Sequence, residues 1–131
     1  MARECDHHLI QRVLGAAIDV HCALGPGLLE SVYERALEFE LGARGIAVLS
    51  QVPIPAFYRG VELGIGFRAD LLVDECLVIE IKCVSHLDNS HVKQLLTYLR
   101  LADNETGLLL NLDKQQLRDG IRRVSLFSRT Q

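Results

Sequence analysis

The chain has 131 residues, of which 49% are hydrophobic and 24% charged. That is one domain's length, enough to bury about two-thirds of the unfolded surface in one core. The composition excludes a disordered segment and a disulfide-stapled miniature. A net charge of −3 excludes the strongly basic signature of a non-specific nucleic-acid coat. Charge is nevertheless uneven: Lys114, Arg118, Arg122, Arg123 and Arg129 against Asp119 make the C-terminal end basic and leave the rest acidic. No apolar run approaches the roughly twenty residues of a membrane span, and the opening MARECDHHLI lacks a signal-like apolar stretch. The expectation is one domain over residues 1–131, cytoplasmic and without a membrane partner. Cys5, Cys22, Cys76 and Cys83 form no CxxC pair, which disfavours zinc or an iron–sulfur cluster; buried free thiols are expected instead.

Taken in chain order, Leu9, Val13, Ala17, Val20 and Leu24 recur at helical spacing and predict a helix from Cys5 to Leu24, ended by Gly25-Pro26-Gly27. A second helical pattern runs from Leu28 to Arg44, its apolar residues alternating with Glu30, Glu34, Glu38 and Glu40 on an acidic face that is solvated or functional. Val48, Val52, Ile54, Ala56 and Tyr58 alternate as a strand. Pro53 and Pro55 cannot donate ladder hydrogen bonds, which puts that strand at a sheet edge or bulge. Val61–Val73 and Leu77–Val84 complete an antiparallel three-strand meander. Leu87–Ala102 reads as a third helix with His91, Gln94 and Tyr98 on its polar side. Gly107–Leu112 reads as a buried strand, Asp113–Asp119 as a helical turn, and Ile121–Phe127 as a last strand.

The segment from Arg68 to Lys82 carries the chemistry, because charges interrupt two strands otherwise built for burial. A three-residue turn of Asp74, Glu75 and Cys76 pairs Val73 with Leu77 and sets Asp70 opposite Glu80 on one face. Alternation then adds Lys82 and Arg68 to that face, while Leu71, Val73, Leu77, Ile79 and Ile81 fill the other. Two carboxylates at cross-strand distance repel unless a proton or cation lies between them, and a hard divalent ion takes such oxygen ligands. Lys82 stands where it could serve a water or a phosphate. A plain solvent-facing ion pair is the competing reading, and the spacing alone leaves both open.

Asp70 followed by Glu80-Ile81-Lys82 resembles the D…ExK core of the PD-(D/E)XK nuclease superfamily. The stretch Gly27-Leu-Leu-Glu30-Ser-Val-Tyr33 is similar to the GxxExxY signature of one bacterial and archaeal family within it. The resemblance spans roughly His7 to Val124 and includes Arg68-Ala-Asp-Leu-Leu-Val73 and Gln94-Leu-Leu-Thr-Tyr98. Ala69 stands where the family motif has proline, a position without chemistry. The resemblance implies an α/β (α+β) fold of restriction-endonuclease-like core: a mixed sheet flanked by helices, in the order ααβββαβ(β). It implies that Asp70, Glu80 and the Ile81 carbonyl hold Mg2+, with Mn2+ as substitute, and that Glu30 approaches the metal from its helix. Lys82 would serve the attacking water, and Gln94, Tyr98 and Tyr33, with Arg68, would line the substrate cleft. Core roles compete for both tyrosines, and a helix-dipole role competes for Glu30. His21 and His91 are read as satisfied or exposed histidines.

The leading function is a magnesium-dependent nuclease acting on DNA or RNA, with Arg118 to Arg129 as a candidate backbone-binding surface. The alternative is a non-catalytic module that binds nucleic acid or protein. No zinc finger, helix-turn-helix or aromatic platform is present in the sequence, so a second copy or a protein partner is the expected source of additional substrate grip.

Overall fold

The computed structural model describes residues 5–126. The elements are α1 (His7–Leu24), α2 (Glu30–Ala43), β1 (Val48–Tyr58), β2 (Val61–Val73), β3 (Leu77–Lys82), α3 (Asn89–Ala102), β4 (Thr106–Asn111), a short 3-10 helix (Leu117–Gly120) and β5 (Ile121–Ser125). They form one five-stranded sheet in the order β1-β2-β3-β4-β5, antiparallel except where β3 and β4 run parallel. Parallel neighbours need a crossover, and α3 supplies it. This is the mixed, helix-flanked fold expected from the sequence.

Local chemistry fixes most element ends. The Asp6 side chain accepts from the His8 N–H to start α1, and Gly25, at φ 73°, ends it where a β-carbon would be strained. Asp88 opens α3 with a capping box: its carboxylate takes the Ser90 and His91 N–H groups while the His91 ring accepts from the Asp88 N–H. His91 is thus spent on the cap. His21 is buried with its Nε2 3.2 Å from the Leu112 carbonyl. As the prolines require, β1 is an edge strand, with a register shift between Ile54 and Pro55. β5 ends at Ser125, and Phe127 lies outside the described residues.

The sheet is covered on both faces. Against α1 and α2 lie Leu71, Val73, Leu77, Ile79, Ile81, Leu108 and Leu110; against α3 lie Ala69, Val78, Leu109 and Val124. β3 therefore alternates as expected. β2 does not: Phe67 and Ala69 join the α3-side core, whereas Leu71 and Val73 join the other. Facing changes around Asp70, where Gln51 on the neighbouring strand has the left-handed φ of 52°. The exposed Arg68 is accordingly not placed beside Asp70 by simple alternation.

The cysteines correct the expectation of buried free thiols. Cys5 and Cys76 form a disulfide with Cα atoms 5.5 Å apart, tying the entry of α1 to the β2–β3 turn; Cys22 is exposed and Cys83 half-buried. A bridge across 71 residues of sequence leaves no spacing signal. No helix among the described residues is long and apolar enough to cross a membrane.

Candidate metal and phosphodiester site

The site begins with the way β3 is bonded. Residues Leu71, Leu72 and Val73 pair with Ile79, Val78 and Leu77, the register that a turn of Asp74, Glu75 and Cys76 dictates. On its other side β3 pairs with β4, Glu80 beside Leu109 and Lys82 beside Asn111, and the Lys82 carbonyl accepts from the Leu112 N–H at 2.9 Å. A parallel ladder uses alternate residues, so the backbone groups of Ile81 point the opposite way, toward β2. There side chains take over. Ile81 N–H donates to Asp70 Oδ2 at 2.8 Å, and Asp70 N–H donates to Glu80 Oε2 at 3.1 Å. Each carboxylate is held by a backbone N–H, with the Ile81 carbonyl directed to the same side.

Burial and neighbouring carboxylates push both acids of the pair up. Glu80, 6% exposed, is pushed up to about 8, first by desolvation and then by the charge of Asp70; the Asp70 N–H and Lys82 oppose this only in part. Asp70 is also raised, by burial and then by Glu30, against the Ile81 N–H, Lys82 and Gln51. The surroundings of the pair therefore hold it short of full ionisation at neutral pH.

Helix α2 brings further carboxylates. Glu30, its first residue, accepts from the Cys83 N–H at 3.2 Å, just beyond β3. It thereby joins a helix start, where negative charge is favoured, to the strand end that carries Lys82. One turn later Glu34 takes both its hydrogen bonds from Gln51 Nε2, at 2.9 and 3.0 Å, and the same amide lies 3.5 Å from Asp70 Oδ1. Desolvation, then Asp70, Glu38 and Glu30, push the Glu34 carboxyl up, while its bond with Gln51 pulls the other way. Gln51 was not singled out from sequence, and Glu34 only as one glutamate of the acidic α2 face. The four-residue step from Glu30 signals Glu34, but nothing in the sequence marks the turned backbone that aims Gln51.

From the other side α3 contributes Gln94, whose Oε1 is 3.5 Å from Lys82 Nζ, and Tyr98, which is hydrogen-bonded to Gln94. The Tyr98 ring stacks on Phe67 with centroids 3.8 Å apart and planes 3° apart. Burial raises its phenol, followed by the charges of Glu80 and Asp70, so this hydroxyl shares their field. Asp70, Glu80, Lys82, Glu30, Gln94 and Tyr98 are thus brought together.

Tyr33 is not part of this gathering. It is buried, its hydroxyl donates to the Gly25 carbonyl and accepts from the Leu28 N–H at 3.1 Å, and so it fastens the α1–α2 turn that precedes Glu30. A substrate-lining role gives way to a positioning one. The basic end is divided too. Arg122 pairs with Leu109 and Arg123 with Leu108, so their side chains take opposite faces of the sheet. Arg123 Nη1 lies 3.4 Å from a His7 ring nitrogen, Arg118 borders a cleft with Ile18, His21 and Cys22, and Arg129 lies outside the described residues.

Among the described residues no group of three His, Cys, Asp or Glu side chains stands ready to hold a metal ion. A buried glutamate and a half-buried aspartate beside a backbone carbonyl still fit a hard cation, because magnesium characteristically uses one or two carboxylates and keeps several waters. A helix-flanked mixed sheet with an aspartate, a glutamate and a lysine gathered at the β2–β3 junction defines the PD-(D/E)XK class of fold. The chain belongs to the PD-(D/E)XK nuclease superfamily, whose family profile matches residues 7–124. Neither a curated protein nor a solved structure gives a significant match to the chain.

Proposed function

We propose that this protein is a divalent-metal-dependent nuclease of the GxxExxY type that hydrolyses phosphodiester bonds of nucleic acid. Superfamily membership supports the reaction class. The observation that carries the reading is the reciprocal holding of Asp70 and Glu80 by backbone N–H groups, a costly arrangement of two carboxylates with Lys82 beside them. Asp70, Glu80 and the Ile81 carbonyl would hold Mg2+, or Mn2+ in its place, and Glu30 would reach it through a water. The bound cation supplies Lewis acidity toward the phosphate and eases deprotonation of the attacking water.

The remaining work falls to the chain's own groups. Lys82 presents a positive charge next to the carboxylates, where it offsets negative charge developing on the phosphate and orients the incoming water. Gln94 anchors the ammonium from α3, and its bond to Tyr98 sets that amide's direction. Tyr98, braced by Phe67, offers a hydroxyl at the cleft wall. Glu34 and Gln51 hold the open side of Asp70 in place.

Manganese binding, followed by electron paramagnetic resonance, tests the site without a guessed substrate. Wild-type protein should bind Mn2+, and folded Asp70→Asn and Glu80→Gln variants should each lose at least tenfold in affinity. A nuclease screen on single- and double-stranded DNA and RNA then uses Lys82→Ala as the inactive control. Wild-type binding no better than that of the variants would refute the metal site and put the non-catalytic module first.

A further inference from the structure

The sheet register turns Arg122 toward the carboxylates. Across β3, β4 and β5, Glu80, Leu109 and Arg122 stand in one row. Val78, Leu109 and Val124 all belong to the α3-side core, so alternation puts Glu80 and Arg122 on that same face. Two strand spacings separate their backbones by about 10 Å. In the next row Lys82 lies beside Asn111, which is fully buried. The Asn111 side chain donates to the Val84 carbonyl at 2.8 Å and accepts from the Val84 N–H at 3.1 Å. The chain leaving Lys82 is thereby fastened to β4, and it brings His86 to the same cavity as Arg122.

The cavity has a volume of about 170 Å³, and Lys114 and Asp119 complete its charged lining. Gly120 lies on its floor, where a β-carbon would collide with the Asn111 carbonyl. Such a volume falls below the ~300 Å³ at which small-molecule sites begin. It equals about six waters at ~30 Å³ each, the scale of a single phosphate group with its hydration. Donors are already aimed there. Lys114 Nζ donates to the Ser85 carbonyl at 2.8 Å and lies 3.4 Å from His86 Nδ1, which leaves one of its three N–H groups for a ligand. With Nδ1 accepting, the His86 proton sits on Nε2 as a further donor. No ion pair among the described residues ties up Lys114, Arg122 or Asp119. Two positive charges against one negative leave a balance of +1. That matches the single charge of a phosphodiester better than the nearly double charge of a terminal phosphate.

We propose that the His86–Lys114–Arg122 cavity binds an internal phosphodiester of the nucleic-acid strand, holding that strand along the α3 face while another of its phosphates lies at Asp70, Glu80 and Lys82. At ~3.4 Å of rise per nucleotide, the ~10 Å between the two positions spans at most about three nucleotide steps. The nuclease reading supplies the substrate here; the cavity and its charge stand apart from it.

Fluorescence anisotropy with labelled 5′-hydroxyl single strands of about 12 nucleotides, DNA and RNA, in EDTA to stop cleavage, tests this on the wild type and on Lys114→Gln/Arg122→Gln. The wild type should bind at least one strand type. The double variant should bind it at least tenfold more weakly at about 50 mM salt. Its slope of log affinity against log salt should be shallower by about 0.7, the value for one single-strand phosphate contact. The loss should be the same for purine-rich and pyrimidine-rich sequences, and 5′-phosphorylation should leave wild-type affinity within twofold. If the double variant fails to fold, Arg122→Gln alone replaces it and should weaken binding at least threefold with a shallower slope. Unchanged affinity and slope in a folded variant overturn the proposal, as does a wild type that binds neither strand type. Tenfold tighter binding of a 5′-phosphorylated strand, lost in the variant, overturns it in favour of a terminal phosphate. Mn2+ binding, read on the same samples, should be equal in wild type and double variant. Its absence from the wild type would refute the nuclease reading, whereas its presence beside a failed oligonucleotide result refutes the cavity alone.

Discussion

Glu80 pairs a buried position with a carboxyl that keeps its proton to about pH 8, against 4.5 for an ordinary glutamate. In the metal-free protein the folded state therefore binds more protons than the unfolded state between those values. Its stabilising contribution is complete below about 4.5 and is lost as pH rises through 8. Stability should fall across that window by up to about 1.4 kcal/mol per pH unit, the limit for one proton. Asp70, raised for the same first reason, adds to the fall. Urea denaturation at pH 5, 6.5 and 8 should show this slope in the wild type and a flatter one in Glu80→Gln, which is neutral at every pH. Tyr33 makes a different kind of contribution, since its hydroxyl links Gly25 and Leu28 across the turn before Glu30. Tyr33→Phe should cost about 1–2 kcal/mol in the same denaturation experiment, the usual effect of stranding such partners.

Among the elements, the β2–β3 hairpin was the most legible in the sequence. Its three-residue turn and strict alternation in β3 leave one register that keeps Leu77, Ile79 and Ile81 in the core, and that register brings Asp70 to Glu80. Helix α3 was similarly clear, expected over Leu87–Ala102 and found over Asn89–Ala102, although the Asp88–His91 cap at its start was not read. Other features depend on contacts that spacing does not encode. Gln51 reaches Glu34 and Asp70 through a left-handed backbone angle, and β2 changes facing between Ala69 and Leu71. The disulfide joins elements 71 residues apart, which no local pattern can report. Its role can be measured at this scale. Closing a loop of that length restricts the unfolded chain, and opening it by Cys5→Ser should cost at most about 4 kcal/mol. Reductant should destabilise the wild type and leave Cys5→Ser unchanged in urea melts. Equal loss in both would assign the effect to other thiols.

For the molecule as a whole, the two carboxylates make folding, protonation and metal binding one linked equilibrium. Burial that favours a protonated Glu80 opposes the folded state at high pH, and a bound cation reverses that preference by requiring the carboxylate. Binding to the folded state alone adds about 2.7 kcal/mol at a concentration one hundred times the dissociation constant. If one proton leaves with each ion bound, the apparent Mn2+ affinity should rise about tenfold per pH unit below about 8 and level off above it. Titrations at pH 6, 7, 8 and 9 in buffers that do not bind manganese would trace this curve. Lys82→Ala removes a charge that holds both carboxyl groups down, so its plateau should begin at higher pH. It also removes a repulsion from the cation, and above the plateau its affinity should equal or exceed that of the wild type. A wild-type affinity independent of pH from 6 to 8 would mean that the ion binds away from Glu80, and the paired carboxylates would then be a structural feature of the strand junction.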